Sequence, residues 1–154
     1  MAIYLVQHGK SLSKEQDPQK GLSDEGIENT RKIAKVAAGY GINVSRIVHS
    51  GKKRAFQTAE IFEEHLETGK AVADIPGLNP KDNVNEFALK VEDLDDLNDV
   101  MVVGHLPFME KLVSRLTAAN EEITVFKFQN SGVVCLDAEE GDWFIKWALM
   151  PEIK

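Results

Sequence analysis

The chain has 154 residues, 43% hydrophobic and 28% charged, which suits one globular domain with a proper core, read here as residues 1–154. A net charge of −7 argues against a nucleic-acid partner, and no apolar run is long enough to cross a bilayer, so neither nucleic acid nor membrane is expected. Cys135 stands alone, which excludes an intramolecular disulfide framework; with a start that enters an apolar run without a basic leader, it sets a cytoplasmic location as the expectation.

Residues 2–6 read as a buried strand that stops at Gln7-His8-Gly9. A residue at the mouth of a buried strand is held by the sheet yet open to a ligand, and Gly9 allows a turn and a close approach. Residues 10–21 are polar and read as a loop. Ser23 is a good N-cap, with Leu22 and Ile27 at staple positions around it. The helix that follows places Ile27, Thr30, Ile33, Ala34 and Ala37 on one face and stops at Gly39 or Gly41. Ile42–His49 reads as a second strand, firmest at Arg46–His49. Lys52 to about Leu66 reads as a helix with Ala55, Ala59, Phe62 and Leu66 buried and Gly69 as its C-terminal cap. Val72–Ile75 reads as a short strand and Asn83–Leu94 as a helix. Asp99–Val103 is a strand that ends at Gly104-His105, as the first ends at His8. Pro107 fits the first turn of a helix burying Phe108, Leu112 and Leu116. Strands are expected near 123–128, 132–137 and 143–149, the last two joined as a hairpin by Glu139-Glu140-Gly141-Asp142. Trp143 and Trp147 share strand parity and are read as cover for the sheet. The pattern implies an α/β domain of three layers, α/β/α, its central sheet mostly parallel with antiparallel strands from the C-terminal hairpin.

The segment after the second strand reads Ser50-Gly51-Lys52-Lys53-Arg54-Ala55-Phe56-Gln57-Thr58-Ala59. Cations are normally unfavourable where a helix begins, because the macrodipole is already positive there. Three together make sense if an anion sits at that end, held by free N–H groups and a guanidinium. For Lys52 and Lys53 alone a solvated basic turn is the plainer reading. Arg54 differs, because Ala55 and Ala59 place it beside the buried face.

These pieces, in this order, resemble the histidine phosphatase superfamily, the phosphoglycerate-mutase-like fold. Gln7-His8-Gly9 matches its opening Arg-His-Gly, Ser50 to Ala59 its Ser-Pro-x-x-Arg-Ala-x-Gln-Thr-Ala, Gly21 to Gly26 its Pro-Leu-Thr-x-x-Gly, and Gly104-His105 its late Gly-His. His105-Leu106-Pro107 and the short chain look most like the SixA-type phosphohistidine phosphatases. The resemblance implies catalysis by His8, Arg54 and His105. His8 would attack phosphorus and form a phosphohistidine that water hydrolyses, while His105 and Arg54 hold the phosphoryl oxygens. Gln7, Gly9, Ser11, Lys52 and Lys53 are the candidate substrate-binding residues. No metal or other cofactor is expected. Gln7 replaces an arginine of the motif, and Lys10, Lys52 or Lys53 are the candidates to restore its charge. Glycine stands at Gly77 where an acidic proton donor is sought, leaving Glu86 as the one guess. That absence favours a phosphoramidate, whose nitrogen leaving group can be protonated in advance. The expected partner is a phosphorylated protein, such as a histidine phosphotransfer domain, or a phosphorylated small molecule. A catalytically weakened phosphate-binding module is the alternative that Gln7 raises. His49, His65 and Cys135 are read as structural.

Overall fold

A computed structural model describes residues 2–93 and 95–153. Six strands form one sheet in the order β3-β2-β4-β1-β5-β6. They are β1 (Ala2–Gln7), β2 (Arg46–His49), β3 (Ala73–Asp74), β4 (Val100–Gly104), β5 (Val133–Glu139) and β6 (Asp142–Leu149). The first four run parallel, and β5 and β6 are antiparallel additions beside β1. The helices are α1 (Asp24–Gly39), α2 (Lys53–Leu66), α3 (Val84–Asp93) and α4 (Phe108–Ala118).

Alternation along the strands builds two cores. Tyr4, Val6, Ile47, Met101 and Val103 face α1 and α2, where Ile33, Ala34, Ala55, Ala59 and Phe62 meet them. Ile3, Leu5, Val48, Val100 and Val102 face α3 and α4, packing on Phe87, Val91, Phe108 and Leu112. A sheet covered on both faces needs near-continuous apolar strands, and β1 and β4 supply them. The three-layer α/β/α arrangement with a mostly parallel sheet is therefore the observed one.

Ser23 caps α1 as expected: its Oγ accepts the Gly26 N–H at 3.0 Å, and α1 closes at Gly39 with Gly41 in the left-handed region at φ +69. Elsewhere the chain departs from its sequence pattern. Strand β2 starts only at Arg46, because its partner β4 starts opposite, at Val100; residues 42–45 are irregular. Only Ala73 and Asp74 pair in β3. Helix α2 ends in a left-handed Glu67 rather than at Gly69, whose N–H instead donates to the Glu63 carboxylate at 3.1 Å. Pro107 is the N-cap of α4, one position before the first turn. Residues 123–128 form no strand: the Val125 N–H goes to Ser114 Oγ and the Phe128 N–H to Glu110 Oε2, so α4 takes donors that a neighbouring strand would need. Leu94, the expected last residue of the helix from Asn83, lies outside the described residues.

The hairpin turns at Glu140 and Gly141, with φ of 51 and 86, a two-residue loop matched to strand twist. A register shift leaves Lys146 as an extra residue between Ile145, opposite Leu136, and Trp147, opposite Cys135. Such a bulge reverses facing. Trp143 thus packs on the α3/α4 core and Trp147 on the α1/α2 core, despite their shared parity.

The start of α1 is pressed against the loop after β1. The Lys10 carbonyl accepts from both the N–H and the hydroxyl of Ser23, and a Cβ at Gly26 would collide with that carbonyl and lie 2.9 Å from Lys10 N. Backbone cannot swing aside as a side-chain tip can. The Gly26→Ala substitution is expected to destabilise the fold by about 1–3 kcal/mol, read as a lower urea midpoint at an unchanged slope.

Candidate active site

Strands β1 and β4 are parallel neighbours, and their register sets Gln7 opposite Gly104. His8 and His105, each one residue further on, therefore leave the sheet side by side. The His8 N–H donates to the Gly104 carbonyl at 3.0 Å, extending the ladder into the site. Asn130 Nδ2 donates to the His8 carbonyl at 2.9 Å. The two imidazole centroids lie 4.9 Å apart.

The His8 side chain is fixed by its own loop. Its Nδ1 lies 2.7 Å from the Gly9 carbonyl, which only accepts, so the proton is on Nδ1 and Nε2 carries the free lone pair. Gly9 is not in the left-handed region. Its missing Cβ matters for packing, since a Cβ there would come within 2.7 Å of Thr30 Oγ1. The Gly9 N–H donates to Thr58 Oγ1 at 2.9 Å, tying the His8 loop to α2.

His105 is 1% exposed, and its Nε2 lies 2.5 Å from Ser50 Oγ, at the end of β2. His49 places that serine: its Nδ1 accepts the Gly51 N–H at 3.0 Å, across a glycine with φ +91. Burial pushes His8 down to about 4 and His105 to about 3, with the positive field of Arg54 adding to both. Both rings are neutral at pH 7. Among the described residues the charged side chains acting on His8 are Arg54 and Lys20, and His105 is pushed further down by the neighbouring His8 ring and then by Arg54 and Lys52. No carboxylate among the described residues is a cause of either shift. Glu86, the guessed proton donor, lies exposed on α3.

Arg54 lies in the first turn of α2, half-buried, with no carboxylate partner among the described residues. It lines a cavity of about 740 Å³ with Lys14, Lys20, Lys52, Lys53 and Phe56. Lys53 is turned to Asp17, at 2.8 Å, and Lys10 to Glu25, at 2.8 Å. Ser11 makes a backbone bridge to Leu22 in the loop. Gln7 is 9% exposed; its Oε1 is buried without a partner and borders a second cavity, of about 460 Å³, with Leu106, Phe128 and Asn130. His105 Nδ1 is also buried and unpartnered.

Of the residues singled out in the sequence, the structure thus gathers His8, His105, Arg54 and Lys52; Lys53 borders the same cavity but is paired with Asp17, and Lys10 is paired with Glu25. Lys20 and Asn130 escaped the sequence reading. Lys20 stood in a polar loop with no pattern to mark it, and Asn130 is brought in from 122 residues away. The chemistry available is a neutral imidazole nucleophile beside a converging set of cations. Among the described residues no three His, Cys, Asp or Glu side chains gather as a metal site requires.

Residues 3–83 match the model of the histidine phosphatase superfamily (branch 1). The phosphohistidine phosphatase SixA of Escherichia coli is 26% identical over 98% of this chain and 94% of its own length. The fold superposes on a protein histidine phosphatase SixA complexed with tungstate at a TM-score of 0.85, with 24% identity over 98% of this chain and 97% of the other. It also superposes on the alpha-ribazole phosphatase of Shigella flexneri at 0.82, with 14% identity over 100% and 98%.

A histidine held neutral in the folded state binds fewer protons than in the unfolded chain, where its value is near 6.5, so acid favours unfolding. His8 is expected to withdraw on the order of 2 kcal/mol of stability as pH falls from 6.5 toward 4, the range between its two values. Denaturant melts across that range check this, and His8→Asn should flatten the slope.

Proposed function

The chain belongs to the histidine phosphatase superfamily and is a phosphatase of that type, and we propose that it removes the phosphoryl group from phosphohistidine in a protein, through a covalent intermediate on His8. The observation that carries this reading is the pair of neutral imidazoles at adjacent strand ends, with Nδ1 of His8 tied to the Gly9 carbonyl. In the first step the His8 Nε2 lone pair attacks phosphorus while the phosphorus–nitrogen bond to the substrate ring breaks. The bonding electrons leave on the substrate nitrogen. A ring already protonated on its other nitrogen departs as neutral imidazole. In the second step water attacks the phosphoryl group on His8, the new phosphorus–nitrogen bond breaks, and phosphate carries the water protons away. Arg54, Lys52 and the buried His105 hold the phosphoryl oxygens and the charge that builds on them.

Two features favour phosphohistidine over a phosphate ester. An alkoxide leaving group wants a proton donor, and among the described residues no carboxylate is a cause of the shift of His8 or His105. The phosphohistidine phosphatase SixA of E. coli, alike along nearly the whole chain, is named for this substrate. One observation favours a second reading, phosphate binding without useful turnover: Gln7 brings no charge and leaves a buried amide oxygen unmatched.

Phosphate release from a phosphohistidine-bearing phosphotransfer protein separates the two. The native protein is expected to release phosphate, and His8→Ala to lose about a thousandfold or more of that rate. No release at high enzyme concentration, with p-nitrophenyl phosphate also untouched, selects the binding module.

A further inference from the structure

We propose that Lys20 is a catalytic residue, its ammonium contacting the phosphoryl group together with Arg54 and supplying the charge that Gln7 lacks. This rests on the reading that His8 receives the phosphoryl group. A phosphoryl group in transfer carries about two negative charges, spread over three oxygens. With both histidines neutral and Gln7 an amide, the balancing charge must come from side-chain cations: Arg54 and Lys52 act on His105, whereas on His8 itself Arg54 is joined by Lys20. Lys10 is taken by Glu25 and Lys53 by Asp17. Lys20 has no carboxylate partner among the described residues, lines the same cavity as Arg54, and lies near enough for its field to act on His8.

The loop is built to present this side chain. Lys20 sits in the left-handed region at φ 51, uncommon for a residue with a side chain. Its N–H donates to the Asp17 carbonyl at 2.8 Å. The Asp17 carboxylate accepts the N–H groups of Gln19 at 3.0 Å and Gly21 at 2.9 Å, so it bonds on both sides of Lys20. The same carboxylate holds Lys53 at 2.8 Å, and Gln57 Oε1 accepts the Leu22 N–H at 2.7 Å. Lys53 and Gln57 both belong to α2, the helix that carries Arg54. The two cations are thereby fixed to one rigid element. Asp17, Lys53 and Gln57 are positioning residues in this arrangement.

The test compares native protein with Lys20→Gln, Lys20→Arg and the double variant Lys20→Gln/Gln7→Arg. The Lys20→Gln change is expected to lower kcat/KM for the phosphohistidine protein by roughly ten- to a hundredfold. It should weaken inhibition by inorganic phosphate by a similar factor, at an unchanged thermal midpoint. Lys20→Arg should stay within about threefold of native, and arginine at position 7 should recover most of the loss, since either residue restores a cation. The imidazole NMR titration of His8 should move up in Lys20→Gln, because a positive neighbour is gone; a merely structural lysine would not move it. A Lys20→Gln variant within about twofold of native in both kcat/KM and phosphate inhibition overturns the proposal. If the native protein hydrolyses no phosphohistidine protein, NMR titration with inorganic phosphate still decides. Weaker binding in Lys20→Gln upholds Lys20 as an anion ligand, and equal binding refutes it, whatever becomes of the substrate.

Discussion

The parallel pairing of β1 with β4 is the constraint on which the site depends. One register, Gln7 opposite Gly104, sets two histidines shoulder to shoulder although they stand 97 positions apart in the chain. The bond from the His8 N–H to the Gly104 carbonyl carries that register one step past the sheet. A slip of one residue would send His8 to the opposite face and exchange the two cores. The near-continuous burial of β1 and β4 forbids the slip, so the same apolar side chains that stabilise the fold also aim its nucleophile. Precision in the site is inherited from the sheet.

Electrostatics then follows from position. Burial holds both imidazoles in the neutral form, which leaves the Nε2 of His8 nucleophilic, while Arg54 reinforces that state by its own charge. In a chain with net charge −7 the cavity at the sheet's end collects lysines and an arginine, with Asp17 as the carboxylate bonded among them. Asp17 binds backbone on one side and Lys53 on the other, so it spends its charge on architecture. A local cluster of cations thus coexists with a negative protein.

Much of this was legible in the residues. His8-Gly9 and Gly104-His105 end apolar runs of strand length, Ser23 announces α1, and Arg54 sits where a helix start gathers cations. What could not be read was partnership across the chain. Lys52 and Lys53 are neighbours of the same type and both border the cavity, yet Lys53 is claimed by Asp17; only the folded loop decides which. Lys20 carries no periodic or motif signal, and its place follows from a backbone turn made by Asp17. Residues 123–128 had the composition of a strand but found their hydrogen-bond partners on α4. In β6 the alternation was sound, and a single extra residue, Lys146, broke its meaning.

That extra residue gives the molecule two separate optical reporters. Trp147 lies with its ring centroid 5.9 Å from Tyr4, on the layer that holds α1, α2 and the cationic cavity. Trp143 belongs to the layer of α3 and α4. The chain has no other tryptophan, so its tryptophan emission is the sum of one signal from each side of the sheet. Replacing either indole by phenylalanine leaves a protein that fluoresces from one layer alone, and the two layers can be followed independently as the protein loosens, binds or refolds.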